Sequence, residues 1–479
     1  MRGIIKILKN MPLNLKATLV FAISNFATSG INYITTPIFT ALLTTAEYGT
    51  VAVYNSWFDI VKVFASMTLI YPGILNVGLY YHRENRWKYL SSMLGITTFC
   101  TAVLSVLYII FYNSANTALG LPPSLVILML LTSVFTPATI FWTFKQRYEY
   151  AYKSAFYVSV GSAVFAQIIS VIAVVVAKNS GFGHLPEVRL WSAGLVNAMV
   201  AAVLFVYICT KGKALLDFSL WKPTFLVAIP LIPHYLGSVA LSSTDKIMIG
   251  RMVGEEKAGI YSLAAILSAI GVLLWRALSV TFTPFVNAKL GQRDFAKIRT
   301  SVKPLLTMVG ILFVAVSLTA PEIINILATN DYLEGVYVVP PIAAGIFIHA
   351  LYDIFSAVSF FHKKSVRIMT ATLTAAVLNI VLNYFFILKI GYIAAGYTTL
   401  ISNLVLSGMH YYNVRKIEKE QVYDSKFSLL SVSIVTLLCL AANLVYDYTV
   451  LRYILIAITV VVMVLKSKSV IKALTEMKV

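Results

Sequence analysis

Asn55, Asp59, Lys62 and Ser66 follow one another at intervals of 4, 3 and 4 inside an otherwise apolar stretch. On an α-helix that spacing puts all four on one face. His234, Ser238, Ser242 and Asp245 repeat the device at intervals of 4, 4 and 3, and Asn25, Ser29, Asn32 and Thr36 follow the same rule. Tyr261, Ser268 and Arg276 form a less regular set. A charge at mid-bilayer costs about 2.5–3.5 kcal/mol even on the lenient insertion scale, so such residues face a wet cavity or a partner. The cations in these stretches are Lys62, Lys246 and Arg276. They suit an anionic guest such as a diphosphate, since unit charges at about 4 Å attract by about 4 kcal/mol at an effective dielectric near 20. The carboxylates Asp59, Asp245 and Asp353 are candidates for coupling to H+ or Na+. Asn25, Asn32 and Asn55 add hydrogen-bonding groups, and Tyr54, Trp57 and Trp275 are placed to stack on sugar faces.

Plainer roles compete at each position. Asp59 and Lys62, three apart, are placed to neutralise one another. Asp245, Lys246 and Arg251 also fit the outer end of a span, and Arg276 can snorkel to the interface. Tryptophan and tyrosine near helix ends often form the interfacial belt. Asp353 has no partner visible in the sequence.

These faces must be carried by membrane helices. The 479 residues are 59% hydrophobic and only 12% charged, with a mean hydropathy of +0.84. A soluble domain carries roughly a quarter charged residues. Apolar runs of about twenty residues match a helix crossing the bilayer, and the alternation of a β-barrel strand is absent. The runs define about fourteen transmembrane spans: 17–44, 50–72, 89–112, 121–144, 155–177, 190–210, 223–250, 258–284, 304–327, 337–361, 367–388, 392–412, 427–446 and 449–465. The short basic segment from Arg2 to Asn10 reads as an interfacial helix. No small-residue cleavage site follows the first run, so an uncleaved first helix is expected.

With the N-terminus inside, 29 of the 38 Lys and Arg residues fall in inner loops and 6 in outer loops. This asymmetry predicts cytoplasmic N- and C-termini. It also assigns the net charge of +19 to topology and to anionic lipid, which argues against a nucleic-acid partner.

The two halves echo each other. Gly49 pairs with Gly259, Pro72 with Pro284, Arg83-Glu84 with Arg293-Asp294 and Lys153-Ser154 with Lys364-Ser365, at shifts of 210 to 212. An internal duplication of six helices each is expected, with a first lobe over 1–215, a second over 216–415, and helices 13 and 14 plus a cytoplasmic tail over 416–479. Repeats of even helix number share one orientation and would face each other across a central cavity. Prolines at 37, 230, 233, 340 and 341 mark expected bends.

Enzymatic chemistry has no constellation to stand on. There is no GxxxxGK phosphate loop, no HExxH pair and no GxSxG elbow. There is no large outer loop of the kind expected in a membrane sugar polymerase. Cys100, Cys209 and Cys439 lie in apolar runs with no metal-ligand spacing, so neither a metal site nor a resident cofactor is expected.

The AEYG of Ala46 to Gly49, and the run from Lys364-Ser365 through Asn379 and Asn383 to GYIAAGYTTLISN (Gly391 to Asn403), resemble the polysaccharide flippases of the multidrug/oligosaccharidyl-lipid/polysaccharide exporter superfamily. The resemblance covers essentially the whole chain. It implies movement of undecaprenyl-diphosphate-linked O-antigen, capsule or exopolysaccharide units across the bacterial inner membrane, in company with polysaccharide assembly proteins. It further implies alternating access, a cationic cavity between lobes, ion coupling in some members, and a groove for the lipid tail formed by helices 13 and 14. Lipid II flippases of the superfamily crowd arginines on helices 1, 2 and 8, whereas the first span here has none. Its drug exporters generally stop at twelve helices. An ion-coupled exporter of small molecules is the competing expectation.

Overall fold

The computed structural model describes residues 13–477, so the basic segment from Arg2 to Asn10 lies outside the described residues. Every regular element among the described residues is helical. The order is α1 (Leu13–Leu42), α2 (Thr45–Ala65), α3 (Pro72–Tyr81), α4 (Arg86–Ile110), α5 (Tyr112–Leu119), α6 (Pro123–Tyr148), α7 (Tyr152–Asn179), α8 (Leu185–Gly212), α9 (Phe218–Ala228) and α10 (Ile232–Met252). There follow α11 (Glu255–Ser268), α12 (Ile270–Gly291), α13 (Phe295–Leu318), α14 (Ala320–Leu327), α15 (Val339–Phe361), α16 (Ser365–Ile390), α17 (Ala394–Ile417), α18 (Ser425–Ala441) and α19 (Thr449–Glu476).

Eleven helical segments among the described residues are long and apolar enough to cross a bilayer. The first, second and twelfth expected spans fall on α1, on α2 and on α17, which are helical but richer in polar residues. The chain forms two compact units, one running to Leu236 and one starting at Gly237. Helix starts repeat between the halves. Thr45 corresponds to Glu255, Arg86 to Phe295, Tyr152 to Ser365 and Leu185 to Ala394. Tyr150 and Lys363, each two residues before one of these starts, share a positive φ of 52° and 54°.

Several spans are broken where the sequence reading had them continuous. The second stops at Ala65, passes through Met67 and Thr68 at φ 47° and 62°, and resumes at Pro72. Neither left-handed residue is a glycine, so the sequence carries no signal for this break. The seventh divides into α9, a 3-10 turn over Ile229–Leu231, and α10. Pro230 and Pro233 remove the backbone donors that would have joined them. Pro340 and Pro341 do not bend the tenth span. They occupy the first turn of α15, where a missing N–H costs nothing.

Within the first unit the core gathers on α3, α4, α6, α8 and α9, with Leu75, Leu90, Met93, Phe141 and Ile208 fully buried. The Trp221 indole donates to the Ser92 carbonyl at 3.1 Å, which seats α9 on α4. Gly95 makes the approach possible: a Cβ there would lie 1.7 Å from the Leu215 carbonyl oxygen. α2 opens with a capping box in which Glu47 accepts from the Thr44 amide at 2.8 Å and the Thr44 hydroxyl accepts from the Glu47 amide at 3.2 Å. The Lys178 ammonium donates to the Leu42 carbonyl at 2.7 Å and so caps the end of α1.

Within the second unit α15 and α17 pack closely, and Val358, Phe347 and Ala395 are fully buried. α19 instead exposes Val450, Leu451, Ile454, Ile458, Val461 and Val464, the surface of a helix that meets lipid. At its start Arg452 is buried and pairs with Glu322 at 2.5 Å. The linker before α18 is held by charge pairs: Arg293 with Glu420 at 3.0 Å, and Lys303 with Asp424 at 2.6 Å. Asp424 also caps α18 by accepting from the Phe427 amide at 3.1 Å. The Lys303 ammonium and the capped amide hold its carboxyl below the usual carboxylate range.

Candidate functional site

α10 carries Asp245 into the interior of the second unit, where the residue is 4% exposed. One carboxylate oxygen accepts from the Asn383 amide of α16 at 2.6 Å. The other accepts from the Tyr261 hydroxyl of α11 and the Thr399 hydroxyl of α17, each at 2.6 Å. The network extends outward. Asn383 donates to Asn379 at 3.2 Å, Asn379 donates to Thr399 at 3.1 Å, and Thr398 donates to Asn383. Four helices thus meet on one buried carboxylate with oxygen groups around it. A buried carboxylate needs such donors, because uncompensated burial of its charge costs several kcal/mol. Lys246, its neighbour in sequence, is half-buried.

Asp353 on α15 is exposed and accepts from the Trp275 indole of α12 at 2.7 Å. This is the partner the sequence did not reveal. Trp275 itself is 5% exposed, so its ring is packed inside the unit. Arg276, the next residue, is exposed, and no carboxylate lies within ion-pair distance of it among the described residues.

In the first unit Lys62 pairs with Asp59 at 2.6 Å, one turn apart on α2, and lies 4.6 Å above the Phe58 ring. Asn55, on the same helix, lines a mostly apolar cavity, and Trp57 is half-buried. Asn25 and Asn32 occupy the exposed stripe of α1, where Asn32 accepts from Gln167 at 3.3 Å.

An apolar groove of 460 Å³ runs between α13, α18 and α19 of the second unit, lined by Leu306, Gly310, Val314, Phe427, Leu438 and Ile458 among others. Among the described residues no cluster of three or more His, Cys, Asp or Glu side chains is arranged to hold a metal ion, and the three cysteines are free thiols.

The sequence reading singled out Asp245 and Tyr261 but did not join them. Asn379, Asn383, Thr398 and Thr399 were not counted as site residues. The signal existed: two asparagines four apart inside an apolar span obey the rule that marked the other polar faces.

The family model for "Polysaccharide biosynthesis protein" matches residues 14–286, and the MatE model matches residues 230–385. The chain is 23% identical over 295 residues to the "Probable low-salt glycan biosynthesis flippase Agl15" of Haloferax volcanii strain DS2. That match covers 56% of this chain and spans 62% of the relative's length. Among solved structures, the lipid II flippase MurJ in an inward closed conformation superposes with a TM-score of 0.66 at 16% identity, covering 95% of this chain and 100% of that one. An inward-facing multidrug resistance transporter of the MATE family gives 0.61 at 13% identity, covering 84% and 99%.

Proposed function

Because the chain belongs to the polysaccharide biosynthesis protein family, we propose that it is a flippase moving undecaprenyl-diphosphate-linked oligosaccharide units from the cytoplasmic to the outer leaflet of the bacterial inner membrane. The N- and C-termini face the cytoplasm in this reading, and the unit passes to polysaccharide assembly proteins. The observation that carries it is Arg276. It is exposed on a helix within a membrane span, with no carboxylate to balance it among the described residues. A guanidinium so placed requires water or an anion, and a diphosphate supplies one with bidentate geometry. Lys62 is the anion-binding cation of the first unit, with Asp59 as the group a diphosphate displaces. Lys246, Asn25, Asn32, Asn55 and Trp57 contribute the polar lining, while Trp275 positions Asp353. The apolar groove beside α18 and α19 takes the polyprenyl tail. Access alternates between the two faces, and a co-transported H+ or Na+ binds at Asp245, whose oxygen-rich surroundings suit a hard monovalent ion.

Deletion of the gene in a strain lacking a paralogue tests this directly. Lipid-linked units should accumulate on the inner leaflet and surface polysaccharide should disappear; normal polysaccharide without accumulation refutes the reading. The MatE match over 230–385 favours a second reading, an ion-coupled exporter of small molecules. That reading predicts altered drug resistance on overexpression and unchanged surface polysaccharide on deletion.

A further inference from the structure

The first unit holds a second cavity, mostly apolar with a few polar groups set into it. α2, α6, α7 and α8 surround a cavity of 330 Å³ whose lining includes Asn55, Thr136, Thr139, Ser162 and Asn197, with Tyr54 and Phe58 on the side of α2. No acidic, basic or histidine side chain lines it. Thr132, Thr136 and Thr139 lie on one face of α6. Thr132 and Thr136 donate to carbonyls four residues back, at 2.8 and 2.7 Å; the Thr136 oxygen is left to accept, while that of Thr132 meets the Tyr54 hydroxyl. The Asn55 and Asn197 side chains are exposed at the cavity, and among the described residues they have no hydrogen-bond partner.

A guest must answer these groups. Two amides offer donors and acceptors that an apolar molecule would leave unsatisfied. An ion would enter a lining with no opposite charge to receive it. A neutral polyhydroxylated ring satisfies both conditions, and its apolar face fits against Tyr54 and Phe58, whose ring centres are 5.9 Å apart. Ligand pockets span about 300–1,000 Å³, so this one is sized for a single ring and not for a chain. Phe58, which lines the cavity, also carries the Lys62 ammonium 4.6 Å above its ring.

We propose that this cavity is a neutral-sugar subsite, gripping one uncharged pyranose through Asn55, Asn197 and the α6 threonines. The role assigned to that ring, as the sugar adjoining a diphosphate held beside Lys62, rests on the flippase reading. Binding of the ring itself does not. Selection then operates in the first unit on the identity of one sugar, which excludes uronic acids and phosphorylated sugars at this position.

The test uses the full chain in lipid nanodiscs and saturation-transfer NMR. The probes are the methyl glycosides of glucose, galactose, mannose and N-acetylglucosamine, with glucuronate and inorganic diphosphate as charged comparators. At least one neutral glycoside should show saturable transfer, reduced at least fivefold by Asn55→Leu with Asn197→Leu and abolished by Ala193→Leu, which fills the cavity. A second measurement is independent of how those variants fold. With Cys100, Cys209 and Cys439 replaced by alanine, an Ala193→Cys thiol reacts with a methanethiosulfonate, and the bound glycoside should slow that reaction. Transfer that persists in both sets of variants, equal transfer to glucuronate, or no protection of the thiol overturns the proposal. A protein that binds the glycoside in this way yet moves no lipid-linked oligosaccharide keeps the subsite and loses the flippase reading.

Discussion

Replacing Asp245 by asparagine changes one oxygen to an amide and removes one charge. The side-chain oxygen of the new residue inherits the bonds now given by Tyr261 and Thr399, both made to the same carboxylate oxygen. Its amide then points at the Asn383 amide, donor against donor, where a 2.6 Å hydrogen bond stood. One mismatched buried pair costs roughly 1–3 kcal/mol. Thr399→Val removes the bond to the charged group, worth roughly 1.5–3 kcal/mol, and also leaves the Asn379 donor without its acceptor. At about 2–4 °C per kcal/mol for a unit of this size, each variant should melt roughly 2–12 °C lower. The assay has two arms, thermal unfolding of detergent-purified protein and transport in vesicles with and without an imposed H+ or Na+ gradient. Asp245→Asn should still fold and still bind the lipid-linked guest, but it should lose any response to the gradient. An unchanged melting temperature in both variants would refute the packing argument. A retained gradient response in Asp245→Asn would remove the carboxylate from coupling.

Other consequences follow from particular contacts. Lys62→Ala and Arg276→Ala should each impair transport while Lys62→Arg is tolerated, read as initial flipping rates; full activity in both alanine variants would discard the anion-binding role. Gly95→Ala would press a methyl group against the Leu215 carbonyl and should destabilise the first unit by about 1–3 kcal/mol, measured as a lowered melting temperature. Asp424→Ala should loosen the first turn of α18 by about 1 kcal/mol, seen as faster amide exchange at residues 427–429. Because the folded-state pKa of Asp424 is depressed, its contribution is present at neutral pH and fades as the pH falls below the ordinary carboxylate range. Protection factors in this turn, referred to the intrinsic exchange rate at each pH, should therefore fall in acid in the native protein and not in the alanine variant.

How much of this was legible in the sequence depends on the kind of signal. Spans announced themselves, because about twenty apolar residues in a row have few other uses. The helix starts of the two halves echo most plainly at Gly49 and Gly259, each four residues past the start of its helix. Breaks were harder to see. Proline marks the one at Pro230, but Met67 and Thr68 enter the left-handed region with no glycine to give notice. Polar stripes showed which face of a helix is polar, not which stripes meet. Periodicity is a property of one helix, whereas Asp245 finds donors on three others. The Asp353 contact with Trp275 was hidden for the same reason, since 78 residues separate the two. Glu47 was quoted for its place in the AEYG motif. Its physical role is the capping box with Thr44, which the T-x-x-E spacing already spelled out.

The most direct measurement is reconstituted flipping. Purified protein is placed in vesicles carrying an undecaprenyl-diphosphate-linked oligosaccharide in one leaflet, and a lectin outside reports the sugar that crosses. The account predicts time-dependent exposure of the sugar that requires Arg276. Exposure no faster than in protein-free vesicles, under either an H+ or a Na+ gradient, would contradict it.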